Sequence, residues 1–175
     1  SGKTLTSFKT AQLASRIEGV DKVLFVVDRR DLDYQTKKEY DRFEEGSADS
    51  STSSRVLERQ LSNKDKNGGY HEYKVIITTI QKLNQFLKKH LTHPVYDKHM
   101  VFIFDECHRS QFGETHQNIK KFFQNAQMFG FTGTPILEEN CHNKAGLKLT
   151  TKHLFNECLH KYVIVDAIRD KNVLP

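Results

Sequence analysis

The stretch VFIFDECHRSQFG, residues 101–113, places four apolar residues directly before two carboxylates, Asp105 and Glu106, followed by the thiol of Cys107 and the imidazole of His108. A short run of β-branched and aromatic residues predicts a buried strand. Acidic groups at the end of a buried strand cost free energy unless a cation or hydrogen-bond donors face them. The stretch therefore predicts a strand end with a binding role and a charged partner elsewhere.

Apolar runs of strand length recur along the chain and alternate with helical patterns. The predicted strands are KVLFVV (22–27), KVIITT (74–79), MVFIF (100–104) and MFGFTG (128–133), and the tail KYVIVDAIRD (161–170) predicts a further strand running into a short helix. The predicted helices cover 1–17, 31–43, 55–61, 80–90 and 115–125, the first with Leu5, Phe8, Ala11 and Leu13 or Ala14 on its inner side. This alternation predicts an α/β fold with a mostly parallel central sheet, whose ligands bind beyond the carboxyl ends of the strands.

The composition is that of one globular domain. The 175 residues are 37% hydrophobic and 28% charged, which argues against wholesale disorder. No apolar run is long enough to cross a membrane, and the first residues are too polar for a signal peptide. The net charge of +5 is compatible with a nucleic-acid partner. Residues 45–54, EGSADSSTSS, predict a flexible insert, either a disordered loop or a partner contact.

The cysteines indicate a reduced protein. There are three of them, without close CxxC spacing, which favours a cytoplasmic location over a disulfide scaffold. One loose group of potential zinc ligands lacks the tight paired spacing of structural zinc sites, so we expect no metal there. Its members are Cys141, His142, His153, Cys158 and His160.

The chain begins with SGKT, and Gly2, Lys3 and Thr4 match the second half of the phosphate-loop pattern G-x-x-x-x-G-K-[ST]. In such a loop the helix N-terminus and the lysine bind phosphates, and the hydroxyl binds Mg²⁺. The first glycine of the pattern lies outside these residues. By itself the tripeptide is more often a capped helix with a surface lysine, but the acids at 105 and 106 supply the other half of a nucleotide site. There Asp105 would hold Mg²⁺ and Glu106 would activate water.

Four segments carry a family resemblance. DECHRS resembles the DEAH-box motif of superfamily 2 helicases and translocases, with Cys107 in place of alanine. GFTGTP (Gly130–Pro135) resembles motif III, TTIQKL (Thr78–Leu83) a DNA-contact motif, and FVVDRRDLDYQ (Phe25–Gln35) motif Ia. Together these segments closely resemble the R (HsdR) subunit of type I restriction-modification enzymes, over nearly the whole chain.

The resemblance implies a RecA-like P-loop NTPase, a three-layer sandwich, with residues 1–175 forming one N-terminal motor domain truncated within the phosphate loop. ATP and Mg²⁺ are the implied ligands. The implied roles are ATP binding by Gly2, Lys3 and Thr4, magnesium binding by Thr4 and Asp105, catalysis by Lys3 and Glu106, coupling of hydrolysis to movement by His108, Thr132, Gly133 and Thr134, and DNA binding by Arg29, Thr78, Thr79 and Gln81. From residue type alone, His108 is equally an ordinary histidine after a strand, and Thr78 and Thr79 also suit a strand end.

The implied function is ATP-driven translocation of double-stranded DNA, which precedes cleavage by a nuclease domain outside these residues. The implied partners are duplex DNA, a second RecA-like domain, that nuclease domain, and methylation and specificity subunits, with no membrane. We expect the isolated domain to hydrolyse ATP poorly, because the second domain supplies an arginine finger. The alternatives are another superfamily 2 repair or remodelling translocase, a nucleotide switch without productive hydrolysis, and a basic α/β interaction domain.

Overall fold

The structure is a computed structural model that describes residues 2–27, 54–107, 112–136 and 150–172. The predicted helix at 31–43 and residues 45–53 of the serine-rich segment lie outside the described residues. Ser54, the last residue of that segment, is the first residue of a helix, and its side chain is buried.

Four parallel strands form the sheet in the order β2-β1-β3-β4. The strands are β1 (Lys22–Val27), β2 (Val75–Thr79), β3 (His99–Asp105) and β4 (Asn125–Phe131). In the register, Phe25 of β1 lies beside Ile77 of β2 and Ile103 of β3, and Asp105 lies beside Phe131. All four strands were predicted from their apolar runs, and their carboxyl ends lie at one edge of the sheet.

Within the described residues, six α-helices connect or follow these strands. They are α1 (Gly2–Ala14), α2 (Ser54–Leu61), α3 (Ile80–Lys89), α4 (Phe112–Phe122), α5 (Thr151–Phe155) and α6 (Ile164–Arg169), with a short 3₁₀ helix at Pro94–Asp97. The helix predicted over 115–125 begins and ends three residues earlier, because Asn125 already pairs with His99 in the sheet. No described helix has the length and apolar character needed to cross a bilayer.

The helices cover the sheet on both faces, as expected for a three-layer α/β fold. On one face, Phe8 of α1 packs edge-to-face on Phe25, with ring centroids 5.6 Å apart. On the other face, Leu83 and Phe86 of α3 belong to the core that contains Phe102. Because both faces are covered, β1 and β2 are buried along their whole length and β3 from its second residue.

Helix α1 presents a narrower apolar face to the core than the sequence suggested. Phe8, Ala11 and Ala14 are buried against the sheet, whereas Leu5 and Leu13 are 68% and 54% exposed. Residues 8, 11 and 14 follow each other at helical three-residue spacing, and that set includes neither leucine. The placement of Leu5 on the inner side was therefore wrong, and of the two alternatives Ala14 is the inner one.

The prediction of a further strand in the tail was also wrong, while the short helix that follows it is confirmed. Residues 158–163 join no strand, and α6 begins at Ile164. The Asp166 carboxylate accepts a hydrogen bond from the Val163 N–H at 3.0 Å, an N-terminal cap that favours a helix start. Val165 is 68% exposed, so its β-branched side chain has no sheet to pack against.

Candidate functional site

Three segments that are far apart in sequence meet at the carboxyl edge of the sheet. Lys3, in the first turn of α1, places its Nζ 3.6 Å from Oε1 of Glu106, which directly follows β3. A Cβ atom added to Gly133 would lie only 2.9 Å from the same Nζ, so Lys3 also contacts the segment after β4. Lys3 therefore lies between Glu106 and the glycine turn, and it joins the first turn of α1 to the ends of β3 and β4.

The two carboxylates occupy different environments. Asp105 is the last residue of β3 and is 7% exposed. Glu106 has a backbone φ of 51°, in the left-handed region that non-glycine residues rarely adopt. The next residue, Cys107, donates its N–H to the carbonyl oxygen of Phe131 at 3.1 Å, which holds the turn in place. The turn leaves Asp105 in the buried end of the sheet and brings Glu106 to Lys3.

The donor set suits a magnesium–triphosphate ligand. Mg²⁺ prefers carboxylate and hydroxyl oxygens together with substrate phosphates, and Asp105 supplies a carboxylate at this edge. Lys3 supplies the cation that triphosphates need, and the lack of a side chain at Gly133 leaves room for its ammonium. Gly2 and Thr4 lie in the same first turn of α1, at the helix N-terminus where anions bind.

The ion pair between Lys3 and Glu106 is accessible to water. The Lys3 and Glu106 side chains are 38% and 24% exposed, and pairs of this kind contribute at most about 1 kcal/mol. A ligand with several negative charges therefore competes easily with Glu106 for the ammonium group.

The predicted coupling residues after β4 form a tight turn. The Thr134 N–H donates to Oγ1 of Thr132 at 3.0 Å, and Gly133 between them is the residue that meets Lys3. His108, the fourth predicted coupling residue, lies outside the described residues, as does Arg29 of the predicted DNA-binding set.

The other predicted DNA-binding residues lie at the end of β2 and the start of α3. Thr78 and Thr79 are 2% and 4% exposed. Thr79 is the N-cap of α3, and its Oγ1 accepts a hydrogen bond from the Lys82 N–H at 3.3 Å. Within the described part of the chain, the buried Thr78 Oγ1 and Gln81 Oε1 make no hydrogen bond. One strand, β1, separates this group from the acids, a distance of about 10 Å at the usual strand spacing.

Sequence reasoning missed the role of Cys107 as a packing residue of this site. Its side chain is buried beside Gly130, and a Cβ on that glycine would lie 2.8 Å from the sulfur. Burial raises the pKa of the Cys107 thiol to about 12, and the nearby Glu106 and Asp105 carboxylates also raise it, so the thiol stays neutral. In the sequence, the only signal of the close approach between Cys107 and β4 was that Gly130 stands within a predicted strand.

Comparison with known proteins identifies the family. The sequence profile of the SWI2/SNF2 ATPases matches residues 1–175. The chain belongs to the SWI2/SNF2 ATPase family. The four parallel strands and the lysine–carboxylate arrangement at their carboxyl edge agree with a RecA-like ATPase domain in this family.

Curated relatives narrow the resemblance to restriction enzymes. The chain is 46% identical over 176 residues to a type I restriction enzyme endonuclease subunit of Staphylococcus aureus, and 48% identical over 177 residues to one of Staphylococcus saprophyticus. Each match covers 99% of this chain and 18% of the relative. The C-terminal part of a putative type I restriction enzyme endonuclease subunit of Mycoplasma pneumoniae is 47% identical over 126 residues, which are 70% of this chain and 59% of that protein.

The resemblance to type I restriction enzyme endonuclease subunits inferred from the motifs is thereby confirmed. The chain spans about a fifth of the length of the two staphylococcal relatives.

Proposed function

We propose that this chain is part of the ATP-driven, double-stranded-DNA translocase motor of a type I restriction enzyme endonuclease subunit. The observation that carries the proposal is the contact of Lys3 with Glu106 and Gly133, beside the buried Asp105. The relatives are named as type I restriction enzyme endonuclease subunits, which favours a restriction motor over a repair or remodelling translocase.

The proposed chemistry begins with an exchange of ion-pair partners. Lys3 leaves Glu106 and pairs with the terminal phosphates of ATP, because a triphosphate carries more negative charge than one carboxylate. Thr4 and Asp105 would hold a magnesium ion, and when bound this ion would neutralise negative charge on the phosphates. The released Glu106 carboxylate accepts a hydrogen bond from water and orients it toward the terminal phosphorus.

The proposed coupling to DNA uses the remaining predicted residues. Thr132, Gly133, Thr134 and His108 transmit the state of the nucleotide, since Gly133 meets Lys3 directly. Arg29, Thr78, Thr79 and Gln81 form the proposed DNA contact, and contacts to phosphates suit a motor that moves on any sequence. The proposed partners are duplex DNA, a second RecA-like domain and a nuclease domain in the same protein, and methylation and specificity subunits. A cytoplasmic location stays a prediction.

The test is magnesium-dependent ATP hydrolysis by the full-length parent protein with its partner subunits, with and without linear duplex DNA. We expect duplex DNA to stimulate hydrolysis, and Glu106→Gln to lower the stimulated rate by about 100-fold or more while ATP still binds. Glu114→Gln is the matched control, because Glu114 is 61% exposed and pairs with Lys88 on the helix surface. This control should hydrolyse ATP at the wild-type rate.

Two results would contradict the proposal. Hydrolysis that is indifferent to duplex DNA would favour a nucleotide switch. A Glu106→Gln protein as active as the Glu114→Gln control would remove Glu106 from catalysis.

A further inference from the structure

The short helix α5 is hydrogen-bonded to the end of the segment that follows β4. The Ile136 N–H donates to Oγ1 of Thr151 at 2.8 Å, and the Thr151 N–H donates to the carbonyl oxygen of Ile136 at 3.0 Å. Thr150 caps the helix, since its Oγ1 accepts a hydrogen bond from the His153 N–H at 3.2 Å. Five residues are too few for a helix that is stable by itself, so tertiary contacts hold α5 in place.

The other end of α5 packs on Gly130, near the end of β4 and just before that segment. A Cβ on Gly130 would lie 2.5 Å from Cε2 of Phe155 and 2.8 Å from Sγ of Cys107, so only glycine fits beneath the ring. Cys107 directly follows Glu106, and its N–H donates to the carbonyl oxygen of Phe131 at 3.1 Å. Phe155 therefore touches the point where the ends of β3 and β4 are joined.

Helix α4 holds α5 from a second side. The ring of His116 meets the ring of Phe155 edge-on, with centroids 6.4 Å apart, and the imidazole is hydrogen-bonded to the backbone of Leu154. Both His116 and Leu154 are buried. The position of α5 is thus set by α4 as well as by the sheet.

We infer that Thr151 and Phe155 are positioning residues for the segment 130–136, which consists of the last two residues of β4 and the five residues that follow it. Phe155 fixes the segment at Gly130, Thr151 fixes it at Ile136, and the turn with Gly133 against Lys3 lies between these two points. One short helix therefore holds both ends of the segment that touches the phosphate-binding lysine. The inference rests on the proposed function and adds to it two residues outside the proposed nucleotide and DNA contacts.

The physical consequence is a rigid connection between α5 and the ATP site. When Lys3 changes its ion-pair partner, any movement of Gly133 acts on α5 through Thr151 and Phe155, because these residues hold both ends of the segment. Loosening the segment at Ile136, which is remote from the contact between Lys3 and Glu106, retains ATP binding and weakens the response to DNA.

The first test uses a matched pair at residue 151 in the full-length parent protein with its partner subunits. Thr151→Val keeps the shape and removes the acceptor of the Ile136 N–H, whereas Thr151→Ser keeps the hydroxyl. We expect the DNA-stimulated kcat to fall about fivefold in Thr151→Val, the factor of one neutral hydrogen bond, and to stay within about twofold in Thr151→Ser. The KM for ATP should change by less than about twofold in both. Two results would overturn the inference: equal kcat values in the two variants, or a loss of activity in Thr151→Val that comes from a raised KM for ATP.

The second test is independent of catalysis and of residue 151. Phe155→Ala removes the ring that packs on Gly130 beside the Cys107 sulfur, while Phe155→Leu retains an apolar side chain there. Alkylation of Cys107 by a maleimide is followed by mass spectrometry of its peptide, with the exposed Cys158 as the internal reference. We expect labelling of Cys107 relative to Cys158 to rise at least about tenfold in Phe155→Ala and to change little in Phe155→Leu. Cys107 that remains as protected in Phe155→Ala as in the wild-type protein would show that the ring does not hold this junction, and the inference would fail.

The wild-type protein separates failure of the inference from failure of the proposed function. If duplex DNA does not stimulate wild-type ATP hydrolysis, both are contradicted. If stimulation is present and the residue 151 pair shows no difference, the motor function stands and only the positioning role is wrong.

Discussion

At the scale of single residues, Glu106 combines a strained backbone with the side chain proposed to orient water. Its φ of 51° is costly for a residue with a Cβ, yet this conformation brings the carboxylate to Lys3 while Asp105 ends the buried strand. Lys3, Asp105 and Glu106 could all be identified as candidates from the sequence, because a motif is recognised by the type and order of its residues. It could not report the left-handed turn, because glutamate gives no signal for that conformation.

This strain predicts that the protein is more stable with glycine than with alanine at position 106. Glycine adopts positive φ without the Cβ clash, so we expect Glu106→Gly to unfold with a free energy about 1 kcal/mol higher than Glu106→Ala. Both variants lack the carboxylate, and the difference between them isolates the backbone effect. Urea denaturation of the two proteins measures it. A Glu106→Ala protein as stable as Glu106→Gly would mean that the turn carries no strain.

At the scale of elements, the end of β2 and the start of α3 serve structure as well as the proposed DNA contact. Thr79 ends the strand, is buried, and caps the helix through Lys82. The sequence predicted both the strand and the helix, because a β-branched run gives way to the apolar spacing of IQKLNQFLKK. It could not distinguish capping from DNA binding, since threonine hydroxyls suit both roles.

The capping role predicts a hydroxyl requirement at position 79. Thr79→Ala should lower the free energy of unfolding by about 1 kcal/mol, because the Lys82 N–H loses its acceptor, and Thr79→Ser should retain most of the stability. Thermal or urea unfolding of the two variants checks this. If serine and alanine destabilise the protein equally, the cap contributes little and the methyl group matters more.

At the scale of the whole molecule, the half-buried His93 and the buried His116 link stability to pH. Burial lowers the pKa of His93, with a further lowering by His90 that Glu58 opposes. Burial also lowers the pKa of His116, as does Lys120, against the hydrogen bond to the Leu154 backbone. In both cases the folded protein disfavours the imidazolium form, so the unfolded chain binds more protons below pH 6.5.

Stability should therefore fall as the pH drops below about 6.5, by at most about 1.4 kcal/mol per pH unit for each histidine. Urea denaturation between pH 7.5 and 5 measures the slope. The control is the double variant His93→Asn and His116→Gln, in which the amides can replace the hydrogen bonds to Val95 N–H and the Leu154 backbone. Its slope should be shallower, and an unchanged slope would assign the pH dependence to other groups.

The amino-acid pattern was enough to predict the four strands, their mostly parallel arrangement and the motif residues at their ends. This was possible because each strand is a local apolar run, and because chemistry at strand ends needs particular residue types. Only the tertiary structure decided that the tail adds no strand, since a strand requires a hydrogen-bonding neighbour that no local pattern contains. The tertiary structure alone also brought Thr151 and Phe155 to the segment after β4, because packing joins residues that sequence spacing keeps apart.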